Sequence, residues 1–156
     1  MSFRLGSKSR ANLEGVHPSL VRVVEVAITQ TRQDFRVHDG VRSIAEQRVL
    51  LARGVSWTMK SKHLRQADGF GHAVDLVPLV DGKLAWDWQG CLSIAAAVAL
   101  AAEQLQVRVR WGGVWDKELR TYASSPAAVE AESAAYVRRR RSQGKRAAID
   151  GPHFES

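Results

Sequence analysis

A chain of 156 residues, 45% of them apolar, is long enough for one domain with its own core. Its 23 Lys and Arg against 16 Asp and Glu leave a formal charge of +7, which suits anionic partners such as nucleic acid, acidic lipid or a cell-wall polymer. The single cysteine, Cys91, excludes an intramolecular disulfide framework and a cysteine-rich metal site, and the most apolar run, Cys91 to Ala102, falls short of the roughly 20 residues of a membrane helix.

The start, MSFRLGSKSRANLEG, is cationic but has no apolar segment behind it, so no signal peptide is expected. The expectation is a chain made in the cytoplasm, with any substrate outside reached only after delivery across the membrane. Residues 1–15 are expected to form an irregular arm. Pro18 and Ser19 can open a helix carrying Leu20, Val21, Val23, Val24, Val26, Ala27 and Ile28. These apolar positions are dense, so the helix is expected to be largely buried, with a strand as the alternative reading.

Phe35 to His38 reads as a short strand ended by Asp39-Gly40. Ser43 and Glu46 have the spacing of a capping box, and Gly54 fits the end of the helix they open. Arg42 falls just before that helix and Gln47 in its first turn. Gly71 to Val80 predicts a strand, Asp81-Gly82 a turn, and Lys83 to Trp86 the return of a hairpin. In an extended segment Ala73, Asp75 and Val77 share one face and His72, Val74 and Leu76 the other, so His72 and Asp75 cannot easily serve one site. Asp87 to Leu105 predicts a long helix. Val107, Val109 and Trp111 alternate with arginines as in a half-exposed strand, broken by Gly112-Gly113. Ser125-Pro126 opens a last helix, with early glutamates, Arg138 to Arg141 late, and Gly144 as its stop.

Two stretches carry chemistry. Ser61 to Pro78 holds His63, Asp68, His72 and Asp75, and the last eight residues hold Asp150 and His153. Two imidazoles and one or two carboxylates are the donor set of a catalytic zinc site, which takes three protein ligands and leaves one position open. An aspartate inside an apolar strand, as at Asp75, is costly to bury unless paired or metal-bound. Asp68 and His72 compete for the ligand role. Asp150, three residues before His153 across Gly151-Pro152, is placed to act as a general base on a metal-activated water. Arg42 offers a cation for a substrate carboxylate or a developing oxyanion.

These residues resemble the zinc peptidases of the D-Ala-D-Ala carboxypeptidase type, and within them the bacteriophage L-alanyl-D-glutamate endopeptidases, or endolysins. The resemblance rests on Ser61-Lys62-His63, on Gly71-His72-Ala73-Val74-Asp75, and on Asp150-Gly151-Pro152-His153-Phe154-Glu155, with support from Gly40 to Gln47 and Trp111 to Trp115. It implies an α+β fold, a small antiparallel sheet flanked by helices in the hedgehog/D,D-peptidase-like arrangement, as a single domain over 1–156. It implies zinc on His63, Asp75 and His153, Asp150 as catalytic base, Arg42 as a catalytic residue that contacts substrate and stabilises the oxyanion, and Ser61 and Gln47 as further substrate contacts. The implied reaction is hydrolysis of the peptidoglycan stem peptide at L-Ala–D-Glu during host lysis. A D,D-carboxypeptidase or D-Ala-D-Ala dipeptidase, and a non-catalytic wall-binding module, are the alternatives. Leu64 to Phe70 is longer than the family pattern and contains Asp68, which keeps a different ligand set open. Residues 117–147 look like an insertion. Its arginines Arg138, Arg139, Arg140 and Arg141 are expected to meet anionic envelope polymers rather than a specific nucleic acid, on a monomer.

Overall fold

The computed structural model describes residues 2–156. Its centre is the strand β2 (Ala73–Val80), flanked by β1 (Phe35–Asp39) on one side and β5 (His153–Glu155) on the other. β4 (Arg110–Trp111) extends the sheet beyond β5, and β3 (Lys83–Leu84) pairs with the far end of β2. Every pairing is antiparallel. The β2–β3 turn places Asp81 and Gly82 at φ of 53° and 74°, the double positive φ that closes a two-residue hairpin.

One face of the sheet is the core. Val74 and Leu76 of β2, Phe35 and Val37 of β1, Trp111 of β4 and Phe154 of β5 are buried there against α2 (Pro18–Gln30) and α4 (Trp88–Leu105). In α2 the buried residues are Leu20, Val23, Val24, Ala27 and Ile28, a single amphipathic stripe, while Arg22, Glu25 and Thr29 face water. The helix is thus less buried than its apolar density suggests, because Val21 and Val26 sit on its flanks. α4 starts on Asp87, whose carboxylate accepts from the Gly90 amide. A side chain at position 90 would meet the Pro78 ring at 2.7 Å, so glycine lets α4 lie close on β2.

α3 (Ile44–Ala52) opens on the capping box in full: Ser43 accepts from the Glu46 amide and Glu46 from the Ser43 amide. α5 (Pro126–Ser142) opens on Ser125, packs on α4 and buries Val129, Ser133 and Tyr136.

The first fifteen residues are not an irregular arm. Ser7–Asn12 forms a short helix, α1, with Leu5 and Leu13 in the core at its two ends. Its Ser9 hydroxyl accepts from the Val37 amide, and the Asn12 side chain donates to the Val37 carbonyl. The helix covers the free edge of β1, which explains why so polar a segment is ordered.

Candidate active site

The pairing register of β2 builds the site. Asp75 lies opposite His153 of β5, and on its other side opposite Asp39 of β1, where the ladder is irregular between Val37 and Asp39. Residues facing each other across an antiparallel pair project to the same side. Asp75 and His153 therefore emerge together on the face away from Val74 and Phe154. His63 joins them from the loop before β2. Its backbone carbonyl accepts from the Arg42 amide, and its amide donates to the Ser61 hydroxyl.

His63 Nε2 lies 3.3 Å from Asp75 Oδ1, and His153 Nδ1 lies 3.4 Å from the same oxygen. The remaining ring nitrogens are occupied. His63 Nδ1 donates to the Gly40 carbonyl at 2.7 Å, and His153 Nε2 pairs with Glu155 at 2.8 Å. That fixes which nitrogen of each ring turns toward Asp75. His63 Nε2 and Asp75 Oδ1 are buried and without a hydrogen-bond partner among the described residues. Two acceptors facing each other in a buried place call for a cation between them.

Without a metal, the ionisable groups of the cluster act strongly on one another. Burial opposes ionisation of Asp75, but His153 and His63 outweigh it and hold the carboxyl far below the usual carboxylate range. Burial likewise opposes the His153 cation, yet Asp75 and Glu155 lift its pKa to about 9. One nitrogen of each imidazole and one oxygen of Asp75 all lie within 4.8 Å of one another. An N,N,O donor set of this kind fits zinc.

Arg42 is built into the same cluster. It pairs with Asp39, donates to Asp75 Oδ2 at 3.2 Å and to Gln47 Oε1 at 3.1 Å. It thus orients the carboxylate while its backbone holds His63. Gln47 departs from the substrate-contact expectation. It is fully buried, and its amide donates to Ser56 and to the Thr58 carbonyl, so it braces Arg42 and the 56–58 loop from behind. Ser61 lines the open side of the site.

Asp150 stands on the turn before β5. The turn is held by the β4 end: the Asp150 amide donates to the Gly112 carbonyl, the Gly112 amide to the His153 carbonyl, and the Trp111 indole to the Gly151 carbonyl. A Cβ at position 112 would lie 2.2 Å from the Asp150 carbonyl oxygen. Trp111-Gly112 is therefore the brace of the Asp150–His153 turn, a role that no short-range sequence signal announces. Burial, and after it the nearby Asp75 charge, push the Asp150 carboxyl above its ordinary value. Trp115 stacks at 5.1 Å from His153, with its indole tied to the Ala148 carbonyl.

Asp68 and His72 are not part of this cluster. His72 pairs with Asp68 at 2.7 Å and sits 4.8 Å from the His17 ring, on the opposite side of β2 from Asp75. Asp68 also accepts from the Phe70 amide, and His17 caps α2 through Ser19. These groups satisfy one another and pin the long Leu64–Phe70 loop.

The site opens into a cleft of about 740 Å³. His63, Asp75, Asp150 and His153 line it, with Trp57, Lys60 and Lys62 from the loop before His63 and Trp86 from beyond β3. Tyr136 and Arg140 of α5 line it too. The four arginines of α5 therefore do not act as one patch. Arg139 pairs with Asp116 and Glu132, Arg138 and Arg141 are exposed, and Arg140 joins the cleft wall.

Fold and site together are those of a peptidase class. The crystal structure of Serratia marcescens L-Ala D-Glu endopeptidase ChiX matches with a TM-score of 0.70 and 33% identity, covering 99% of this chain and 90% of that one. The family model for phage L-alanyl-D-glutamate peptidase matches residues 1–126, and the chain belongs to that family. The L-alanyl-D-glutamate peptidase of Escherichia phage T5 is 31% identical over 120 residues, 74% of this chain and 84% of that protein.

Proposed function

We propose that this protein is a zinc-dependent peptidoglycan hydrolase that cuts the stem peptide between L-Ala and D-Glu and acts, as a single-domain monomer, as a phage endolysin. The observation that carries the metal reading is the unpartnered pair His63 Nε2 and Asp75 Oδ1, with His153 Nδ1 beside it. The bond follows from the family and from the relatives of that name. Among the described residues no helix is long and apolar enough to cross a membrane.

His63, Asp75 and His153 would hold the zinc. When bound, it supplies the Lewis acid that polarises the scissile carbonyl and acidifies the attacking water. Asp150 takes the proton of that water as the new C–O bond forms at the carbonyl carbon. It returns the proton to the amide nitrogen as the C–N bond breaks, and the new carboxylic acid then gives its remaining proton to the released amine, leaving a carboxylate and an ammonium. Its raised pKa brings its basicity closer to neutrality than that of an exposed aspartate. Arg42 keeps two of its five N–H donors after pairing with Asp39, Gln47 and Asp75, and these are available to the oxygen that gains charge. Ser61, whose Oγ already accepts from the His63 amide, has its hydroxyl hydrogen left for a substrate carbonyl.

The test is digestion of purified peptidoglycan with and without a zinc chelator, with mass spectrometry of the products. A chelator-sensitive cut that exposes D-Glu as a new amino terminus is expected. Release of terminal D-Ala instead would move the substrate to the carboxypeptidase type.

A further inference from the structure

We propose that Arg140 is a specificity-determining residue that binds the free carboxylate of the D-glutamate beside the scissile bond. The inference rests on the function proposed above. A glutamate joined to a peptide through its amine and one carboxyl leaves the other carboxyl free. Wherever that carboxyl is not amidated, the substrate of an L-alanyl-D-glutamate peptidase carries an anion a few bonds from the bond that breaks. The catalytic groups are themselves acidic there, with Asp75, Asp150 and Glu155 in the cleft. An incoming carboxylate needs a cation that those groups have not already neutralised.

Arg140 meets that need better than any other cation of the cleft. Arg42 is occupied by Asp39 and Asp75. Lys60 and Lys62 are exposed on the lip, where a flexible ammonium offers charge without direction. Arg140 is half-buried, and its Nε donates to the Arg146 carbonyl at 2.9 Å. That bond fixes the plane of the guanidinium and leaves both terminal amino groups for a planar anion. Among the described residues no carboxylate lies within ion-pairing distance of it, whereas its neighbour Arg139 has two. The Tyr136 ring, one turn back on α5, lines the same wall.

Two peptides test the assignment: L-Ala-γ-D-Glu-L-Lys and its D-isoglutamine counterpart, in which that free carboxyl is an amide. The wild type is expected to prefer the acid by about 10- to 100-fold in kcat/KM, the worth of a charge-assisted pair. Arg140→Gln should lose that preference, mainly through KM on the acid, and cleave the amide as the wild type does. Arg140→Lys should recover part of the preference. Arg138→Gln, exposed on the same helix, should change nothing. Equal losses of Arg140→Gln on both peptides, or an undiminished preference for the acid, would overturn the assignment while the proposed function stood. If the zinc-loaded wild type cleaved neither peptide but did release D-Ala from the wall, the proposed bond itself would be wrong and this assignment would fall with it.

Discussion

His63 Nε2 and Asp75 Oδ1 face each other at 3.3 Å in a buried place, with no hydrogen to share between them. In a neutral imidazole that donates Nδ1–H to the Gly40 carbonyl, the nitrogen turned to Asp75 is a lone pair. The fold thus stores an arrangement that a cation relieves. Zinc at one equivalent should raise the unfolding temperature of chelator-treated protein, by the equivalent of about 2.7 kcal/mol at a free zinc concentration of 100 Kd. His63→Ala should bind zinc far more weakly and show no such rise. A calorimetric scan with and without zinc reads both, and a wild type indifferent to zinc would argue against the triad as a metal site.

Asp150 is the acid whose ionisation the fold opposes most directly through burial and the Asp75 charge. A carboxyl raised in the folded state costs stability above its folded pKa and costs nothing below its unfolded value. Asp150→Asn should then leave the metal-free protein as stable as the wild type or more so at pH 7, with the gain gone in acid. Turnover should fall by about 10²–10⁴-fold, the usual contribution of a general base. Parallel thermal scans and peptide assays give the two numbers. Wild-type turnover in this variant would remove Asp150 from the base role.

Gly112 lies against the Asp150 carbonyl, where a methyl group would come within 2.2 Å of the oxygen. Gly112→Ala must push the Asp150–His153 turn away from β4. The expected cost is about 1–3 kcal/mol of stability, as for other overpacked sites, with a larger proportional loss of turnover than of folded protein. Circular dichroism at the assay temperature separates the two effects. Full activity would mean that the turn has more room than this packing implies.

Arg139 ties α5 to Asp116 and pairs within the helix with Glu132, which Lys117 in turn ties to the segment before α5. Hydrogen bonds from Arg139 hold Asp116 below its ordinary value, and one from Lys117, first, then Arg139, does the same for Glu132. Lowered carboxyls stabilise the fold above their unfolded values, 3.8 and 4.5, and that contribution fades as the pH falls through the folded ones. Arg139→Gln should lower the unfolding temperature at pH 7, and the gap to the wild type should close in acid. A gap independent of pH would assign the loss to packing of the arginine stem.

Much of the architecture was legible in the sequence because its signals are local. The capping box at Ser43 and Glu46, the Asp81-Gly82 turn and the Ser125-Pro126 start each depend on residues within four positions of one another, and each is found where expected. The alternation along Ala73–Val80 is enough to put His72 and Asp75 on opposite faces, since period two is a property of the strand itself. Membership of the phage L-alanyl-D-glutamate peptidase family was likewise carried by short motifs. The helix of residues 7–12 was not legible: its polar sequence is held by Leu5, Leu13 and the edge of β1, contacts made across 25 or more positions. Comparable distances in sequence hid the brace from Trp111-Gly112 to Asp150 and the place of Arg140 in the cleft wall, while the fixed role of Gln47 rests on loop contacts to Arg42, Ser56 and Thr58 that no helical or strand period announces. The chain alone determined which side chains can do the chemistry. Only the tertiary fold decided which of their atoms are spent on one another and which are left for a metal or a substrate, because hydrogen-bond partners 30 or 40 residues apart meet only when the sheet and α5 close around the site.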